Sequence, residues 1–419
     1  MVTRRIFLRD ASVAMVGVGA APGWLTRAMY AADSSSQRKK ILVAIFQRGA
    51  ADGLNIVVPF GEKRYYELRP SIAVPKPTDS TAGRQDSAID LDGHFGLHPA
   101  LAPLKPIYDA GRLAIVQAAG SPDSTRSHFD AQDYMESATP GLKSTRDGWL
   151  NRALPPIKGK PSPVRALSLG PLLPRSLRGR NAAVAIDSLR EFQVRDEMSA
   201  APFEAMYARS ADTVLHGPGR DTFEAIKLLQ SIQKLPYAPS GGANYPRGRF
   251  GESLRQIAQL IKADVGVEVA FADLGGWDHH VNEVGQRASL GPLANLLAEY
   301  GQALAAFWQD LGDRWADVAV VTMSEFGRTA HENGNRGTDH GHANVMFVMG
   351  GGVRGGKLYG QWPGLEREQL YEGRDLEITT DFRDVLAELV SRHLGRGDLT
   401  GVFPGYASDP QKFLGLIPA

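Results

Sequence analysis

Cysteine is missing from all 419 residues of the chain. Its absence excludes disulfides, thiolate nucleophiles, iron–sulfur clusters and cysteine-ligated zinc. Any metal must be held by imidazole, carboxylate, hydroxyl or backbone oxygen. A charge surplus is missing too: 47 Lys and Arg stand against 46 Asp and Glu, a formal net charge of +1. That balance gives no electrostatic reason to expect nucleic acid as a partner. No Gly-x-Gly-x-x-Gly follows the first strand-like run, so a redox enzyme with a dinucleotide cofactor lacks its phosphate-binding turn. Histidine is scarce, ten in all, yet His331, His340 and His342 crowd into one stretch, "HENGNRGTDHGHAN".

The N-terminal "TRRIFLRDASVAMVGVGAAPGWLTRAMYAAD" pairs Arg4 with Arg5, then runs weakly apolar from Ala11 to Leu25 and ends in small residues. It resembles a bacterial twin-arginine export signal, which implies the export machinery as a partner and a periplasmic or secreted protein. The mature chain is expected to begin near residue 32, and no later segment is long and apolar enough to span a membrane. Residues 33–419 read as a single α/β domain, with about 150–250, rich in Pro, Gly and Arg, as inserted or capping material.

Blocky apolar runs predict buried strands: "ILVAIF", "LAIVQAAG", "VGVEVAFADL", "ADVAVVTM" and "NVMFVMGG". Helical spacing marks Leu101 to Tyr108, Leu290 to Leu311 and "TDFRDVLAELVSRHLG", with further patches near 201–216 and 220–235. Strand–helix alternation predicts a mostly parallel central sheet with helices on both faces. Such sheets collect their functional groups at the carboxyl ends of the strands. Asp52, "TRSH", "DLGGWDHH" and "MSEFGRT" all fall there.

Asp273, Asp278, His279, His280 and Glu283 cluster after one strand; a carboxylate and an imidazole two residues apart, such as Asp278 and His280, can converge on one metal ion, and a surface loop in which Trp277 packs and the His pair caps a helix is the other reading. In "GTDHGHAN", His340 and His342 share one side of the segment if it is extended. His331, farther out in a Gly/Asn-rich loop, reads as solvent-facing. Glu325 either ligates a metal or orients a ligand, and Arg328 either clamps an oxyanion or pairs with Glu325 inside the turn. Ser127 stands at a helix start, where backbone N–H groups favour an anion and a nearby divalent ion would turn a hydroxyl into a nucleophile; a plain N-cap is the other reading. "GGGVRGG" reads as a loop that brings backbone near the site.

"GGWDHH", "SEFGRT" and "DHGHANVMFVMGGGVRGG" resemble a bacterial exported family catalogued as domain of unknown function 1501. More faintly, "HPALAPLKPIYDAGRLAIVQA" and the order of parts resemble the alkaline phosphatase and sulfatase superfamily. That resemblance implies an alkaline-phosphatase-like α/β fold and a divalent metal ion (zinc, calcium, magnesium or manganese). It also implies hydrolysis or transfer of an anionic phosphate or sulfate ester. Carried over by position, Asp52 would be the first-strand ligand, and Ser127 (or Ser124 or Thr125) the nucleophile. Asp278 and His280, with Asp273 as competitor, and His342 or His340 would be further ligands, and Glu325 the acidic half of an Asp–His pair. Arg126 or Arg328 would hold the ester oxygens. Phe326 stands where the phosphatase pattern wants His, and the cysteine that sulfatases convert is absent. A non-catalytic binding or assembly protein on the same fold is the alternative.

Overall fold

The computed structural model describes residues 38–79, 85–157, 159–189 and 224–419. The N-terminal stretch expected to be an export signal and the helical patch expected near 201–216 lie outside the described residues.

Nine strands form the main sheet: β1 (Ile41–Arg48), β2 (Leu113–Gly120), β3 (Ala166–Leu169), β4 (Val184–Ile186), β5 (Val269–Gly275), β6 (Val318–Ser324), β7 (Asn344–Gly350), β8 (Lys357–Tyr359) and β9 (Thr380–Asp381). Their order across the sheet is β8-β2-β7-β6-β1-β5-β3-β4, with β9 also on β2. β1 is central because its apolar run can be buried on both faces; it pairs in parallel with β5 and β6. All other pairings are parallel except those of β7, which runs antiparallel to both β6 and β2.

Four helices matter to the site or the core: α1 (His128–Ser137), α2 (Arg249–Lys262), α3 (Pro292–Leu311) and α4 (Phe382–Glu388). Alternate strand residues face opposite layers. Val43, Ile45, Val320 and Phe347 pack with α2 and α3 in one core, and α3 contributes Leu293, Leu297, Tyr300, Leu304, Phe307 and Leu311 at helical spacing. Leu42, Ala44, Phe46, Val321 and Val348 pack on the other face with Met135 of α1, Trp149 and Phe382. The expected α/β architecture, with helices on both faces of a mostly parallel sheet, is thus present. Within the 150–250 tract, β3 and β4 extend this sheet and residues 224–233 are helical. No described helix is long and apolar enough to cross a membrane.

The reversed β7 decides two placements. Its first residue lies at the rim where β1, β5 and β6 end, so the loop before it joins the other strand-end loops. Its last residue leaves at the opposite rim. "GGGVRGG" therefore packs its backbone against Leu113 at the start of β2, away from the site it was expected to approach.

Candidate metal centre

Three imidazoles and one carboxylate meet at the carboxyl-end rim. His128 opens α1 after β2, Asp278 and His280 follow β5, and His340 precedes β7. Asp278 Oδ1 lies 3.0 Å from His280 Nε2, 3.4 Å from His340 Nε2 and 3.5 Å from His128 Nε2. His340 Nε2 is 3.0 Å from Nε2 of both His128 and His280. The ligand atoms of His128, Asp278 and His340 all lie within 4.8 Å of one another.

Each ring is held from behind. His128 Nδ1 is 2.8 Å from Glu325 Oε1, His340 Nδ1 is 2.9 Å from the Arg126 carbonyl, and His280 Nδ1 is 3.1 Å from Asp339 Oδ1. A carbonyl and ionised carboxylates only accept, so partner chemistry assigns the proton of each neutral ring to Nδ1. The Nε2 lone pairs then point at one another and at the Asp278 oxygen. Lone pairs 3.0 Å apart repel unless a cation lies between them. Metal-ligating histidines have this arrangement, with the remote nitrogen bound to a carboxylate or carbonyl. With metal–nitrogen bonds of about 2.0–2.1 Å, the edges of a tetrahedral site are about 3.3 Å. The observed separations of 3.0, 3.4 and 3.5 Å bracket that length.

The surroundings tune these groups. The hydrogen bond that His128 donates to Glu325 raises the His128 pKa. Burial pushes Glu325 up, but hydrogen bonds from His128, Gln132 and the Gly49 N–H outweigh it and leave the carboxyl below its ordinary range. Burial likewise pushes Asp278 up and is outweighed by the Arg328 guanidinium, with a net lowering. Burial, assisted by the charges of His128 and Arg328, lowers His340. Phe326 is buried and packs its ring against His128 and His340, with centroids 5.0 and 5.1 Å away.

Backbone features fix the loops. Gly49 has φ +118°, and a Cβ there would lie 2.7 Å from the Asp278 nitrogen, so the turn after β1 passes directly under the ligand loop. Trp277 is fully buried, with its indole N–H donating to the Leu274 carbonyl at 2.9 Å, and anchors that loop. The Asn344 amide donates to the carbonyls of Ala51 and Phe326, both at 2.9 Å, tying the turns after β1 and β6 to the start of β7.

The sequence expectations divide accordingly. Asp278, His280 and His340 converge. Asp52 does not join them: both its oxygens accept from the buried Arg69, at 2.5 and 2.9 Å, and the buried Glu283 lies near it. Asp273 is paired with Arg48 at 2.6 Å. His342 is turned away and stacks on Tyr371, centroids 4.2 Å apart, because a bend at residue 342 breaks the two-residue alternation assumed for an extended segment. His331 is exposed, as expected. Glu325 orients His128 and stands one bond back from the cluster.

Neither arginine is free to clamp an ester. Arg126 pairs with Glu372 and Asp375, each at 2.7 Å. Arg328 is buried and donates to the carbonyls of Gly49, Ala50, Trp277 and Thr338 and, at 2.6 Å, to Asp278. Ser127 is the N-cap residue of α1 and is exposed, without the side-chain capping bond its type suggests. Ser124 is also exposed, and the Thr125 hydroxyl accepts from the Ser127 N–H at 3.2 Å. His128 joins the cluster although, inside "TRSH", the sequence singles out only the hydroxyl beside it.

The family described as "Protein of unknown function (DUF1501)" matches residues 39–401. No curated protein matches the chain. Among solved structures, the C-terminal periplasmic domain of EcEptC from Escherichia coli, in complex with Zn, is similar at 8% identity. Its TM-score is 0.33, over 76% of this chain and 74% of that one. A protein in the alkaline phosphatase superfamily from Vibrio parahaemolyticus is similar at 10% identity and a TM-score of 0.29, over 77% of this chain and 63% of that one. At these scores the likenesses add nothing to the geometry of the cluster.

Proposed function

From the premise that the chain belongs to the DUF1501 family, we propose that it is an exported, metal-dependent hydrolase or transferase of phosphate or sulfate esters. The observation that carries this reading is the convergence of His128 Nε2, His340 Nε2 and Asp278 Oδ1, with each ring held at Nδ1 by an acceptor. His128, Asp278 and His340 hold the ion, and His280 stands beside them. Two imidazoles and one carboxylate suit zinc and its neighbours, whereas calcium and magnesium favour sites built from oxygen alone. A bound ion of that class supplies Lewis acidity to an ester oxygen.

The chain supplies the rest. Glu325 keeps the His128 lone pair aimed at the centre, and Arg328 holds the Asp278 carboxylate in place. Phe326 keeps water from one flank of the rings. Ser127, exposed and one residue from a ligand, presents the attacking hydroxyl at the N-terminus of α1, where backbone N–H groups favour the anionic ester. The twin-arginine segment delivers the folded chain to the periplasm.

A second reading, a non-catalytic binding or assembly protein, has its own support: Arg126 and Arg328, the two guanidiniums expected to hold ester oxygens, are both occupied. One experiment separates the readings. Cytoplasmically folded protein is assayed for metal by element-resolved spectrometry and for turnover of aryl phosphates and aryl sulfates. Near-stoichiometric zinc, lost in His128→Ala and Asp278→Ala, with turnover lost in Ser127→Ala, is the expected result. Metal-free protein whose stability is unchanged by those ligand substitutions sinks the metal reading. Metal without turnover, and full cellular function of Ser127→Ala, favours the second.

A further inference from the structure

A cavity of about 380 Å³ adjoins the cluster on its Asp339 side. Arg64, Arg367 and Arg374 line it, over Leu68 and Leu370, with Asn333 at one wall. Its two carboxylates are already engaged. Glu332 accepts from the N–H groups of Ser71 and Ile72, at 2.9 and 3.1 Å. Asp339 accepts from His280 and from Asn333, at 3.1 and 3.2 Å.

The guanidiniums are the less committed groups. Arg367 has no hydrogen bond or ion pair through its side chain among the described residues. It is displayed from a tight turn closed by a reciprocal capping box between Glu366 and Gln369. Arg64 spends one nitrogen on the exposed Glu67, and its buried Nε has no partner among the described residues. Arg374 donates to the carbonyl of His340, at 2.9 Å, and its Nε lies 3.7 Å from the buried Asp375, which fastens the cavity wall to the histidine cluster. Guanidinium forks match the paired oxygens of tetrahedral oxyanions, and the volume falls within the range of small-molecule sites, about 300–1,000 Å³.

We propose that this cavity is an oxyanion subsite that takes a second phosphate or sulfate group of the substrate, remote from the ester held at the histidine cluster. The substrate class is therefore a small molecule carrying at least two such groups, one reacting and one anchored by Arg64, Arg367 and Arg374. The assignment of the reacting group rests on the reading of the cluster as a reaction centre; binding of the second group does not require a metal.

The test is calorimetric titration of inorganic phosphate, and separately of inorganic sulfate, into full-length protein stripped of metal by chelation. Saturable binding of one or both anions is expected, weakened at least tenfold in the Arg64→Gln/Arg367→Gln double variant. The preferred anion identifies the group. No saturable binding of either anion, or binding that the double variant leaves unchanged, overturns the subsite. Because no metal is present, failure of turnover at the cluster leaves this result untouched, and the two readings fail separately.

Discussion

At the scale of single residues, His128 stands between two carboxylates with different duties. Glu325 accepts the hydrogen bond from its Nδ1–H, and Asp278 shares the space its Nε2 faces. Outer partners of this kind typically change metal affinity by about 10- to 100-fold when mutated. Glu325→Gln is therefore expected to weaken zinc binding by about that factor, read by chelator competition, with the circular dichroism spectrum unchanged. Unaltered affinity would show that Glu325 does not set the ring. Little of this was legible in the chain. A lone His after a Ser–Thr cap reads as the first residue of a helix, and its partners lie about 150 to 212 positions away. Arg126 and Arg328 looked available for the same reason, since the groups that occupy them are distant in sequence. His340 was legible as a member of the cluster, but the choice between it and His342 turned on a backbone bend that residue type does not encode.

Among elements, the blocky strands could be read because burial on both faces demands continuous apolar runs, and α3 because its apolar residues recur at helical spacing. β3 and β4, of four and three residues, sit in a Pro/Gly-rich tract and give no such signal. The direction of β7 was also hidden, because an apolar run has no polarity. The turn after β1 is the element on which the site leans hardest. Gly49 donates to Glu325 and its carbonyl accepts from Arg328, while its Cα passes under Asp278. Gly49→Ala forces a side chain into backbone at positive φ. It is expected to cost about 1–3 kcal/mol of unfolding free energy and to lower metal occupancy, measured by denaturant titration and metal analysis. Wild-type occupancy in that variant would mean the ligand loop does not depend on this close approach.

Across the whole molecule, the buried Asp52–Arg69–Glu283 network links the turn after β1 to the loop after β5. Glu283 is fully buried, and burial together with the nearby Asp52 raises its pKa well above the ordinary carboxyl value. The folded chain therefore keeps a proton that the unfolded chain releases above about pH 4.3. The associated stability is complete below that pH and is lost progressively as pH rises toward the folded-state value, by about 1.4 kcal/mol per unit. Glu283→Gln removes this dependence. Its unfolding free energy relative to wild type is expected to rise between pH 5 and pH 8, followed by urea denaturation; a flat difference would place the proton elsewhere. The reversal of β7 has a consequence for how such a chain can diverge. The segment 325–343 is rooted twice on one rim, so neither foot moves when its exposed tip around Gly334 grows or shrinks. Doubling a flexible loop costs only about 0.6 kcal/mol in closure entropy. Asn335 and Arg336 give their carbonyls to Asn282 and Glu283, and Asn333 gives its amide to His280 and Asp339, so Gly334 is the step at which this tip can be lengthened while the imidazole the segment delivers stays at the same address.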